Sequence, residues 1–78
     1  MPPAPHESRI QKHLGNAVRK LRVAKVLSQL QLAEKAGLTH NYVGEIERGE
    51  KLASVETVVR LASALGIKGE ELLHKAGL

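Results

Sequence analysis

Cysteine, phenylalanine and tryptophan are absent from this 78-residue chain, and tyrosine occurs once. Without cysteine there is no disulfide, no zinc ribbon and no thiol nucleophile, which fits a reducing cytosol. Without large aromatic rings the core must come from Leu, Val, Ile and Ala, side chains of modest size that suit closely packed small helices. No apolar run approaches the roughly 18 to 20 residues that span a bilayer, and the opening MPPAPHES lacks a signal peptide's apolar stretch. The expected location is the cytoplasm. A chain of this length buries only about 60% of the surface its unfolded form exposes, so it is read as one marginally stable domain.

What the sequence does hold is positive charge in one place. The net charge is +4 and the isoelectric point about 9.8. Residues 9 to 25 carry Arg9, Lys12, Arg19, Lys20, Arg22 and Lys25 with no acid, while the rest of the chain is nearly balanced. An anionic partner is the inference, weak when taken alone.

Residues 1–7, with three prolines and no periodicity, read as a disordered lead-in to a single domain over 8–78. Ser8 and Gln11 have capping-box spacing, and Ile10, Leu14, Val18 and Leu21 form the apolar stripe of a first helix. The spacing of Ser28 and Gln31 starts a second helix from Gln29 to Ala36, and Gly37 suits the left-handed conformation that ends it. Thr39 caps a third helix that Gly49 stops. Ser54 opens a fourth, with Val55, Val58, Leu61, Ala62 and Leu65 assigned to its inner face. A fifth runs from about Gly69 to Ala76, with Glu70 and Glu71 near the positive end of its dipole. No strand pattern or internal repeat is present. The expected fold class is all-α, a compact five-helix bundle.

The second and third helices, joined by a tight turn over 37–38, describe a helix-turn-helix over 29–48. Ala33 and Gly37 are small where two steeply crossed helices approach. Leu32, Ala36, Leu38, Val43 and Ile46 supply the apolar contacts that hold the third helix. Thr39, His40, Asn41, Gly44, Glu45 and Arg48 then face outward, an edge of donors and acceptors suited to base edges in a major groove.

Residues 21–73 resemble the repressor/Cro (Xre-type) DNA-binding family. The likeness is carried by Gln29 opening helix 2, the Leu32-Ala33 pair, Gly37, the Tyr42-Val43 step, the run Ile46-Glu47-Arg48-Gly49 and the stretch LASALGI. It implies a lambda-repressor-like fold that binds operator DNA as a two-fold homodimer. By position, Gln29 is expected to touch a phosphate and brace helix 3, with Ser28 beside it. His40, Asn41 and Glu45 fall where the family reads bases, Thr39 lies close to the DNA, and Tyr42 is expected on sugar-phosphate or a thymine methyl, the alternative being an aromatic ring that only packs in the core. Arg48 and Lys51 are similar to backbone clamps that also lie within reach of a base. Arg22 and Glu47 resemble a structural ion pair tying helix 1 to the end of helix 3. Leu65, Ile67, Leu72, Leu73 and Leu78 are expected at the dimer interface, the alternative being a fifth helix folded onto the monomer core. Val26 replaces a frequent glycine after helix 1, so that helix end is expected to take another route. Ala53 and Lys68 replace a proline and a capping Ser or Asp.

Other positions have competing roles as well. Glu45 accepts from a cytosine amino group, pairs with Arg48 or is simply exposed to solvent. Asn41 suits bidentate reading of adenine, against local backbone bonding. His40 has no second ligand at metal spacing, since His6, His13 and His74 are scattered, so no metal and no cofactor is expected. Catalytic grouping is lacking, so an enzyme is not expected. The sequence therefore reads as a DNA-binding transcriptional regulator acting on an inverted-repeat operator, of the restriction-modification controller or phage repressor kind. From its compact length, no effector domain is expected. An autoregulating antitoxin that binds and inhibits a toxin is the alternative.

Overall fold

A computed structural model describes the backbone of residues 5–78 and the side chains from residue 9 onward. Among the described residues there are five helices and no strand: α1 (Pro5–Ala24), α2 (Gln29–Ala36), α3 (His40–Glu47), α4 (Val55–Ala64) and α5 (Gly69–Lys75). α1 packs on α3 and α5, α2 on α3 and α4, and α4 on α5. Each helix thus leans on two or more others around a core of Leu14, Val18, Leu32, Val43, Ile46, Leu61, Leu65 and Leu72, all fully buried. Burial of one such side chain stabilises by roughly 1.5–3 kcal/mol, and with so few of them each position counts.

The caps follow local chemistry. Ser28 Oγ accepts the Gln31 N–H at 3.0 Å while Gln31 Oε1 accepts the Ser28 N–H at 2.8 Å, completing the capping box of α2. Gly37 ends α2 at φ 69°, and its N–H reaches back to the carbonyls of Ala33 and Glu34. That backbone conformation is its requirement. A side chain there would meet only the far end of Arg60, so the expected close approach of α3 is not why glycine is needed. Thr39 Oγ1 accepts the Tyr42 N–H, and Ser54 Oγ accepts the Thr57 N–H.

Three expectations change. α1 begins at Pro5, where a proline's missing N–H is harmless and its fixed φ suits a first helical residue. Ser8 therefore lies inside the helix and does not cap it. Residues 5–7 of the anticipated lead-in are helical, and residues 1–4 of it lie outside the described residues. Val26 does enter the left-handed region, at φ 57°. The N–H of Leu27 bonds to the Arg22 carbonyl at 3.1 Å, closing α1 by the route a glycine would take. Val55, assigned to the inner face of α4, is 83% exposed, because the buried stripe of that helix is Thr57, Val58, Leu61 and Ala62. Lys68 has no side-chain acceptor to cap α5, and only the Glu71 carboxylate accepts its N–H, at 3.3 Å.

Candidate nucleic-acid interface

α3 is short and its outer edge is polar, so its direction must be set by its neighbours. One carboxylate does much of this. Glu47, at the last turn of α3, accepts from Arg22 Nε at 2.6 Å and Nη2 at 3.0 Å, and from Gln29 Nε2 at 3.0 Å. The remaining arm of Arg22 donates to the Leu27 carbonyl at 2.8 Å. Three helices and the α1–α2 turn meet on this knot. The side chains of Arg22 and Glu47 are only 14% and 2% exposed, so the ions are removed from water and their hydrogen bonds must offset that cost. Bonding to Glu47 raises the Arg22 guanidinium above its ordinary pKa, against the opposing effect of burial.

Gly15 sets the distance. A Cβ there would lie against the Ile46 carbonyl oxygen and 2.8 Å from that of Glu47, so the backbones of α1 and α3 cross with no room for a side chain. Nothing in the local pattern around Gly15 announces this, since its need arises from Ile46 and Glu47, far along the chain in α3.

Held this way, α3 presents a recess of about 390 Å³ lined by Gln29, His40, Asn41, Gly44, Glu45 and Arg48. His40 and Asn41 are exposed, Gln29 and Glu45 partly so. Gly44, expected to face outward, is buried: the Arg48 guanidinium and the Gln29 amide lie over it. Arg48 Nε donates to Glu50 Oε2 at 2.7 Å, and Nη2 to Oε1 at 3.2 Å. Lys51 Nζ is 3.5 Å from Glu45 Oε2. The ionic partner of Glu45 is therefore Lys51, and Arg48 belongs to Glu50. Arg48 is raised in pKa chiefly by its hydrogen bonds to Glu50, and Glu50 is lowered by the same contact.

A family model described as Helix-turn-helix (HTH_3) matches residues 18–72, a span that includes the knot, the recess and the core of α4. The chain belongs to this Xre-type helix-turn-helix family. It is 41% identical over 69 residues to control protein C.SmaI of Serratia marcescens, covering 88% of this chain and 82% of that protein. It is 40% identical over 67 residues to the immunity repressor protein of Bacillus phage phi105, covering 80% of this chain and 46% of the repressor. Among solved structures, the restriction-modification controller protein C.AhdI from Aeromonas hydrophila superposes with a TM-score of 0.77 at 44% identity, over 80% of this chain and 94% of that one. The chain is thus a DNA-binding helix-turn-helix regulator close to restriction-modification controller proteins, and not an enzyme.

Not every residue picked from the sequence of this helix-turn-helix regulator lies at the recess. Ser28 and Thr39 border it as caps of α2 and α3, and Lys51 joins through Glu45. Tyr42 turns the other way. It is half-buried against the core, with its hydroxyl 3.4 Å from Thr57 Oγ1, so its main surroundings are α4.

The leucines marked for a dimer contact divide. Leu65 and Leu72 are fully buried in the monomer's own core and have no surface to offer a partner, which removes them from that role. Ile67 and Leu73 are partly buried against the core, and Leu78 is exposed. The apolar surface lies instead on an α4–α5 face, around a groove of about 370 Å³ whose lining includes Ile10, Leu52, Val55, Val59, Leu73 and Leu78. Leu52, Val55 and Val59 were not picked out for this from the sequence. The usable signal is that Val55 and Val59 stand four apart with no partner in the buried stripe. No helix among the described residues is long and apolar enough to cross a membrane.

Proposed function

We propose that this chain regulates transcription in the cytoplasm as a homodimer that places α3 of each protomer in the major groove of an inverted-repeat operator. The observation that carries the reading is the uncovered recess of Gln29, His40, Asn41, Glu45 and Arg48, on a helix fixed at both ends by cap and ion pair. Side chains that read base edges must be both accessible at the surface and rigidly aimed. In this arrangement Asn41 suits an adenine, His40 a base or phosphate, and the Ser28 hydroxyl hydrogen and Lys51 the sugar-phosphate backbone. The apolar α4–α5 face is the proposed dimer contact, with Leu73 and Leu78 kept from the sequence reading and Leu52, Val55 and Val59 added. Two-fold symmetry would then set the half-sites about 34 Å apart, one turn of duplex. The controller-like role is supported by the similarity to C.SmaI and C.AhdI.

The test is selection of bound duplexes from a random pool, followed by gel shifts across a salt series. Two inverted half-sites are expected, with affinity falling at a log-log slope of roughly −0.9 for each phosphate neutralised. Failure to retain any duplex at low salt would sink the reading.

A further inference from the structure

Arg48 is a charged side chain on the reading face whose charge is already answered. Its guanidinium meets Glu50 side-on, through Nε at 2.7 Å and Nη2 at 3.2 Å. The guanidinium lies over Gly44, where a Cβ would come within 3.0 Å of Nη1 and 3.7 Å of Cζ. The side edge of the fork is therefore occupied, the end edge, formed by Nη1 and the second hydrogen of Nη2, is not engaged by Glu50, and Arg48 lines the recess together with Gln29, His40 and Asn41. A free Arg48 would attract any phosphate. Paired with a carboxylate two residues away it is formally neutral, so its pull on phosphate is largely cancelled while its two parallel end N–H groups remain. Two N–H donors at that separation match the O6 and N7 acceptors of guanine in the major groove. An arginine held by a second group also loses less side-chain freedom on binding than one that swings.

We propose that Glu50 is a positioning residue that fixes Arg48 across Gly44, making Arg48 a reader of guanine in each half-site instead of a phosphate clamp. This rests on the DNA-binding reading above. Glu50 itself touches no base; it acts through Arg48, and Gly44 supplies the flat seat.

The experiment uses the full chain as wild type, Glu50→Ala, Arg48→Lys and the double variant. Each is measured against the selected operator and an unrelated duplex at one salt concentration, and each is put through the same random-pool selection. Glu50→Ala is expected to lower the ratio of operator to unrelated affinity by about 10-fold, on the order of one bidentate base contact, and to make one guanine per half-site degenerate. Affinity for the unrelated duplex should hold or rise, because a negative charge near the DNA has gone. Arg48→Lys keeps the charge but loses the fork, so the same guanine should become degenerate. Adding Glu50→Ala to Arg48→Lys should then change the ratio no further, the coupling expected of residues that act as one unit. Gly44→Ala, which lifts Arg48 from its seat by pressing on a flexible end, should act in the same direction.

If Glu50→Ala strengthens both duplexes in parallel, or every selected guanine survives, Glu50 is a competing charge and the proposal is overturned. If the wild type selects no site at all, the DNA-binding reading falls with it; a wild type that selects normally confines any failure to Glu50.

Discussion

Val26 closes α1 in a backbone conformation that is costly for a β-branched side chain, yet it is 87% exposed and gains little from packing. Left-handed geometry costs a residue with a Cβ roughly 1–2 kcal/mol, part of which a glycine gives back through the greater freedom of its unfolded chain. Val26→Gly is therefore expected to stabilise by about 1 kcal/mol, raising the melting temperature by roughly 5 °C in a domain of this size. Thermal unfolding followed by circular dichroism checks it, and an unchanged or lower midpoint would mean that the turn is not strained. Glu50 makes a second prediction, in pH. Its carboxyl lies below the ordinary value of 4.5 because Arg48 bonds to the ionised form. A depressed folded value means the pair's contribution is complete above the ordinary value and is lost as pH falls through the folded one. Both side chains are exposed, so the effect on stability is slight. A carboxyl-carbon NMR titration should place Glu50 below the ordinary glutamate value of 4.5 and raise it toward that value in Arg48→Ala. A Glu50 that titrates at the same place with and without the Arg48 guanidinium would show that the pair does not persist in solution.

The third helix depends on contacts that different kinds of sequence signal reveal unequally. Replacing Gly15 inside a helix by alanine normally stabilises by up to about 1 kcal/mol. Here the added Cβ meets two carbonyl oxygens of α3, backbone atoms that cannot turn aside, so Gly15→Ala should destabilise by about 3 kcal/mol, the upper part of the range for overpacking. Glu47→Ala leaves Arg22 buried without its partner and should cost about 3–5 kcal/mol. Urea unfolding at equilibrium measures both, and a loss under 1 kcal/mol in either would show that α3 is not held as described. The Arg22–Glu47 pair and the bracing amide of Gln29 were legible because the family resemblance places them. The caps at Ser28, Gly37, Thr39 and Ser54 were legible because cap chemistry is local, settled within four residues. Gly15, the seat at Gly44 and the Arg48–Glu50 pairing were not. Each depends on where a neighbouring element lies in space, and spacing along the chain carries no trace of that. Val55 was misplaced for a related reason. In the first turn of a helix, one residue's shift in phase moves an apolar side chain from the core stripe to the surface.

On the bundle as a whole, the polar recess beside α3 and the apolar groove beside α4 and α5 are formed by different helices. Its size explains why the leucines of the C-terminal part could not be apportioned from sequence: a 78-residue chain needs Leu65 and Leu72 for its own core, and what remains outside is Leu78, part of Leu73, and Val55 and Val59 of α4. Val55, Val59 and Leu52 are more than half exposed around that groove, apolar side chains that a partner would remove from water. A second copy docked there would bury it. Val55→Asp tests this without harming the monomer. The position is almost fully exposed, and it lies in the first turn of α4, where negative charge is favoured by the helix dipole. Helical content should therefore match the wild type, while a charge in the centre of an apolar contact should shift sedimentation equilibrium to monomer at micromolar concentration. Affinity for a complete two-half-site operator should fall by about 100-fold or more as the second half-site becomes a separate binding event, whereas affinity for an isolated half-site should be nearly unchanged. A variant that sediments with the wild type and binds the complete operator as tightly would remove the α4–α5 face from the dimer and leave the recess on α3 without its symmetric partner.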